Sequence, residues 1–226
     1  RRLGWYSGDD HVHGRILSDD DADRLMAWIR AEDIHVANVV KMGDIFRTFF
    51  EQRGCGPEFR VQLGDHLLSP GQECPRTHDQ LGHTLSMNTR SMIRDTDRYY
   101  LYDRVADEAH AQGGLFGYAH VNSDLFHVHR DLTLNVPRGK VDFGEVLQFG
   151  KLGTEVWYEF LNTGFKFTAS AGSDVPWGGT VGEVRLYAYT GRRRFSADNW
   201  FEAVRRGRTF VTSGPMLEFR VNDALP

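Results

Sequence analysis

The stretch Ser7-Gly8-Asp9-Asp10-His11-Val12-His13 places two histidines one residue apart, directly behind two carboxylates. A β-strand sends residues i and i+2 to the same side, so His11 and His13 can aim two imidazoles at one point. Convergent imidazoles with carboxylates beside them are what a divalent cation takes as ligands. The same spacing occurs at ordinary polar strand ends, so the pair gains weight only from what the rest of the chain supplies.

Four further positions supply it. His120 follows the apolar run Leu115–Ala119, and Asp174 follows Ala171-Gly172-Ser173. Glu73 lies in Ser69-Pro70-Gly71-Gln72-Glu73-Cys74-Pro75, where a carboxylate could give one oxygen to each of two ions. The turn-rich surroundings leave a solvent-facing loop glutamate as the favoured reading of those residues alone. His83, in Gly82-His83-Thr84-Leu85, opens another extended segment. Cys74, as the extended neighbour of Glu73, is expected to point away from it. His127 and His129 repeat the spacing with only Asp124 near them, and make a weaker pair. His35 and His110 read as packing or surface residues, and His66 and His78 as loop residues.

Elements must hold these side chains in place, and the chain alternates strand and helix patterns, which predicts an α/β fold. Trp5–His11 reads as a first strand. Ser18 is a helix N-cap with Asp21 at N3, and Ala22, Leu25, Met26 and Ile29 share one helical face. Ile34–Val40 is a buried strand. Leu101–Gln112 is a helix stopped by Gly113-Gly114, and Leu115–Ala119 a strand. Thr154–Asn162 is a helix closed by Gly164, and Phe165–Ala171 a strand. Ser196 caps a helix through Arg206, and strands follow at Thr209–Ser213 and Leu217–Val221. His11, His13, His120 and Asp174 thus all fall where a strand passes into a loop, the face on which α/β proteins gather ligands.

Composition narrows the function. With 226 residues, 40% hydrophobic and 26% charged, the chain suits one ordinary globular domain. A net charge of −4 and the lack of a basic stripe argue against nucleic acid; Arg192-Arg193-Arg194 fits a solvated turn. No apolar run approaches the roughly 20 residues of a membrane helix. Cys55 and Cys74 make no disulfide framework, and either one bridge or two free thiols fits. The compartment stays open, secretion or periplasmic export after processing included. The chain begins at Arg1 and stops soon after a strand, which leads us to expect a domain excised from a longer polypeptide.

Six motifs in order over nearly the whole chain carry a resemblance. They are Ser7–His13, Pro70–Glu73, Gly82-His83, Gly113–His120, Ala171–Asp174 and Gly207–Pro215. The chain resembles PHP-domain metallohydrolases (polymerase and histidinol phosphatase fold), in the carbaryl-hydrolase-related branch labelled CehA/McbA. The resemblance implies a distorted (β/α)7 barrel with its metal site at the C-terminal strand ends. It also implies one ion on His11, His13, Glu73 and Asp174 and a second on Glu73, His83 and His120, with Glu73 bridging. Nitrogen and oxygen ligands without thiolate suit two divalent ions, Zn, Mn or Fe. The reaction implied is hydrolysis of a small-molecule phosphoester, or of a carboxylic or carbamic ester, by a metal-bridged hydroxide.

The chain departs from that pattern twice. Where the resemblance expects Thr-Asp-His-Asn after the second strand it has Val40-Lys41-Met42-Gly43, and Val175 stands where a histidine often follows the last aspartate. Both missing imidazoles would serve a third ion, so a dinuclear site is expected, with Lys41 supplying positive charge; a decayed site is the alternative. Lys41 and Arg76 are the candidate catalytic anion binders. Two rival readings remain: an amidohydrolase-type barrel, and a non-catalytic metal-, carbohydrate- or protein-binding module. The first needs a longer chain and lacks the Gly207–Pro215 segment, while the 12% aromatic content would suit the second. Trp177 could equally wall a substrate pocket.

Overall fold

The computed structural model describes residues 3–43, 48–74, 82–94, 101–121, 131–191, 194–216 and 220–224. In chain order the strands are β1 (Trp5–Val12), β2 (Val36–Gly43), β3 (Thr48–Phe49), β4 (Val61–Leu63), β5 (His66–Glu73) and β6 (Thr84–Met87). They continue as β7 (Leu115–Tyr118), β8 (Phe143–Gln148), β9 (Lys151–Leu152), β10 (Thr168–Ala171), β11 (Arg185–Tyr189) and β12 (Thr209–Thr212). The helices are α1 (Asp19–Ala31), α2 (Tyr102–Ala111), α3 (Leu132–Asn135), α4 (Glu155–Asn162) and α5 (Ala197–Arg205).

All strands join one curled, mixed sheet in the order β10-β8-β7-β6-β5-β2-β1-β11-β12, with β3, β4 and β9 added on β2, β5 and β8. The sets β1–β2–β5 and β7–β8–β10 are parallel. Strand β6 runs against both of its neighbours, and β11 runs against β1 and β12. The result is a half-barrel rather than a regular ring of parallel strand–helix units. Its outer strands β10 and β12 approach through a bond from Thr209 Oγ1 to the Ala169 carbonyl, 3.2 Å, and no ladder joins them among the described residues.

Most expected elements form, with ends shifted by up to three residues. Strand β10 is the main exception: it starts at Thr168, because Phe165–Phe167 turn out of helix α4 instead of pairing. Of the expected strand Leu217–Val221, residues 217–219 lie outside the described residues, and Val221 makes only a bridge to Ala224. Ser18 and Asp21 form the predicted capping box on α1, and Ala22, Leu25, Met26 and Ile29 are its buried residues. Both cysteines are free, so no bridge forms.

Strand alternation divides the core. Val36 and Val40 join Leu67, Leu85, Leu115, Leu147 and Leu186 in one cluster, which α5 completes with Trp200, Phe201, Ala203 and Val204. Ala37 and Val39, pointing the other way, pack with α1. Phe116 and Tyr118 likewise pack under α2 with Val105 and Ala109. We call the α5-facing side inner. Glu73 on β5 and Glu145 on β8 have the same parity as Leu67 and Leu147, so both carboxylates are aimed at the inner side.

Candidate metal centre

Strand β1 brings the first two candidate ligands. It pairs with β2 through Gly8↔Val36 and Asp9↔Ala37, then through Val12↔Val39, so three steps on β1 face two on β2. That extra residue is a bulge, the device that lets consecutive side chains share a face. Asp10 and His11 both turn toward Glu145. His13 follows as the strand ends, with its N–H on the Val175 carbonyl at 3.0 Å, and Asp174 N–H donates to the His11 carbonyl at 2.8 Å. Backbone bonds therefore tie the loop after β10 to β1.

The side chains meet in two groups that share Glu73. In the first, His11 Nε2 and His13 Nε2 lie 3.1 Å apart, and 3.7 and 3.4 Å from Glu73 Oε2. Asp174 Oδ1 joins them at 3.4 Å from His11 Nε2 and 3.0 Å from His13 Nε2. In the second, His83 Nδ1 stands 2.7 Å and His120 Nε2 3.8 Å from Glu73 Oε1, with 3.0 Å between the two rings' nitrogens. The six residues are all buried. His120 and Asp174 adopt φ of 36° and 53°, a region that non-glycine residues occupy at a cost and that clusters at functional sites.

Neutral histidine rings do not satisfy this arrangement. His11 Nδ1 is 3.0 Å from Glu145 Oε1, and a carboxylate only accepts, so Nδ1 carries the hydrogen. His13 Nδ1 faces the Val40 carbonyl at 3.3 Å and carries its hydrogen for the same reason. In the neutral rings both Nε2 lone pairs then point at each other and at Glu73. Glu73 Oε2 is buried and accepts no hydrogen bond. Ligands held about 2.0–2.2 Å from a zinc ion stand roughly 3–3.6 Å apart, close to the spacings of the first group. The donor set fits a divalent cation in each group.

Charge points the same way. Asp9, Asp10, Glu73, Glu145 and Asp174 are all buried, and among the described residues no lysine or arginine reaches ion-pair distance of them. Burial works against a charged His11, but the carboxylates of Asp174, Glu145 and Glu73 outweigh it and hold its pKa well above the usual range. Burial likewise opposes the Glu73 charge, yet the His83 and His11 rings hold its pKa well below normal. His120 moves down because it is buried. Burial and the Glu145 charge together push Asp10 well up. Asp9 is raised to about 6 by burial, although it accepts N–H bonds from Ser173, Gly182 and His11.

The remaining candidates separate. Glu73 ends a fully buried strand rather than sitting in a loop. Pro70 in that strand stands where one edge of β5 passes from β4 to β6, a place where a missing N–H is tolerated. Lys41 pairs with Gln72 and Met42 with Glu73, so alternation puts Lys41 on the face away from Glu73 and Met42 on the inner face. Arg76, His78, His127 and His129 lie outside the described residues. His35 bonds Ser7, His66 bonds the Ile34 carbonyl, and His110 pairs with Asp142. Burial pushes the Cys74 thiol up to about 12, which makes it a poor ligand. Beside His13 stand Phe50 and the exposed Trp177, with ring centroids 4.9 and 5.0 Å away.

Glu145 and Asp10 are the participants that motif spacing does not single out. A signal for Glu145 exists: it is the one charge in Phe143-Gly144-Glu145-Val146-Leu147-Gln148, at a position where the strand pattern points inward.

No protein-family model matches the sequence, and no curated protein matches it. Solved structures do. One is a two-domain protein from Bacteroides vulgatus containing a predicted PHP-like metal-dependent phosphoesterase, with TM-score 0.60 and 14% identity. The match covers 93% of this chain and 65% of that one, so the chain spans about two thirds of that protein's length. Another is PsfC from Pseudomonas syringae, with TM-score 0.60, 15% identity, and 93% and 92% coverage. The chain shares their fold. No helix among the described residues is long and apolar enough to cross a membrane.

Proposed function

We propose that this chain is a metal-dependent hydrolase that cleaves a small-molecule phosphoester at a dinuclear centre. One ion is held by His11, His13, Glu73 and Asp174, the other by Glu73, His83 and His120. The observation that carries the reading is Glu73: a buried carboxylate whose two oxygens face two separate histidine groups. We read the half-barrel as the distorted PHP-type barrel, of the carbaryl-hydrolase-related branch, and the chain as one such domain.

Two divalent cations, Zn, Mn or Fe, would supply Lewis acidity, drawing charge from the scissile group and making water acidic enough to react near neutral pH. The protein's part is placement. Glu145 and the Val40 carbonyl fix the His11 and His13 tautomers, leaving each Nε2 free to bind. Trp177 and Phe50 form an apolar wall beside His13 and limit water on that side. Phosphoester is placed ahead of carboxylic or carbamic ester because paired cations suit in-line displacement at phosphorus, and because one structural neighbour bears a phosphoesterase name.

Elemental analysis of protein purified without added metal, with Glu73→Gln beside it, tests the centre. The expected result is about two ions per wild-type chain and hydrolysis of p-nitrophenyl phosphate that chelator stops and Zn²⁺ or Mn²⁺ restores. Hydrolysis of p-nitrophenyl acetate alone would move the assignment to esters. No stoichiometric metal, even after incubation with either ion, would overturn the reading and favour a binding module.

A further inference from the structure

Glu145 sits at the middle of β8, between β7, which leads into His120, and β10, which leads into Asp174. Its Oε1 and Oε2 lie 3.0 and 3.2 Å from His11 Nδ1, and Oε2 also accepts the His120 backbone N–H at 2.7 Å. The first contact aims a ring of one metal group. The second holds a residue of the other group at a positive φ that the backbone resists. Gly172 packs closely against this pair: a Cβ there would come within 2.3 Å of Glu145 Oε1 and 2.4 Å of His11 Cβ.

We propose that Glu145 is a positioning residue shared by both groups, fixing His11 through its ring and His120 through its backbone, so that neither ion binds at full strength without it. This rests on the two-ion reading above. Oε2 faces both N–H groups and Oε1 the His11 ring besides, so one carboxylate serves the two groups at once. Alanine removes every acceptor, whereas glutamine keeps one carbonyl oxygen and turns an NH₂ donor toward one of the N–H groups.

The test is Zn²⁺ binding to the full chain, measured by competition with a chromophoric chelator. Wild type is expected to take up about two ions. Glu145→Ala is expected to weaken both by roughly 10–100-fold, the usual scale for losing an outer-shell partner of a metal ligand. His83→Ala, which touches one group only, should lose one ion and keep the other near wild-type affinity. Val204→Ala, a core change in α5, should lower the melting temperature while leaving both affinities in place. If Glu145→Ala does not fold, Glu145→Asp replaces it, keeping the charge but withdrawing the carboxylate by one methylene, with the same expectation. Wild-type affinity for both ions in the folded variant, or weakening of one ion alone, would overturn the shared role. A wild-type chain that takes up no zinc would instead sink the two-ion reading, and that result is visible before any variant is made.

Discussion

The two halves of the proposed metal centre are built differently. The His11–His13–Asp174 half grows from β1, in the sheet between β2 and β11, and backbone bonds from His13 and Asp174 lace it to the loop after β10. Asp9 tightens that loop through the N–H groups of Ser173 and Gly182, at 2.9 Å each. The His83–His120 half hangs on β6 and β7, four residues each, which pair from Thr84↔Tyr118 to Met87↔Leu115 and are continued by a bond from Ala119 N–H to the His83 carbonyl at 3.0 Å. One half adds a laced loop to its ladder, while the other has a short ladder and Glu145. Stiffness in such a site is supplied locally, and a shared ligand does not make its two ends equal.

The sharpest way to break that comparison is to remove what the halves share. Glu73→Gln is expected to empty both and to lower phosphoester hydrolysis by about 10³-fold or more, since each 1.36 kcal/mol lost at the transition state is tenfold in rate. Steady-state assays beside elemental analysis check it. Unequal stiffness predicts order: under rising chelator the ion of the His83 half should leave first. A two-step loss in which His13→Ala abolishes the later step, and His83→Ala the earlier, would establish this; simultaneous loss in wild type would refute it. Asp9→Ala should cost about 3 kcal/mol of stability, because it strands buried N–H donors, and urea unfolding measures that. It should also erode the order by loosening the stiffer half. At the small end, Ser18→Ala removes the α1 cap and should cost about 1 kcal/mol with no change in metal content.

What the sequence made legible follows from how local each signal is. Helix α1 was readable to its cap because Ser18, Asp21 and a 3.6-residue apolar stripe all lie within one segment. Glu73 was not readable as a strand residue, because Ser69-Pro70-Gly71 has turn chemistry and only the change of neighbour along β5 makes room for the proline. An i, i+2 pairing of His11 and His13 on one face holds for a regular strand, whereas β1 carries a bulge that depends on its pairing with β2. Motif position points to Lys41 as an anion binder, but its face is fixed by register with Gln72, which is a property of two strands. Glu145 was hidden for a related reason: an isolated acid in a strand becomes informative only once its inner neighbours are known. The curled mixed sheet and the reversal of β6 belong likewise to pairing rather than to pattern.

The partnership of β1 with β11 has a consequence for how the chain is made. Trp5 pairs with Tyr189, so about 180 residues must leave the ribosome before the first strand finds its second neighbour. At about 5–20 residues per second that is a wait of roughly 10–40 s, during which one long edge of β1 is open to wrong partners. Synthesis halted before β11 would yield a chain that holds His11, His13, Glu73, His83, His120 and Asp174 yet lacks the strand that flanks the first two. For such a fragment the hazard is aggregation along that edge, and it arises with every ligand of the centre already in the chain.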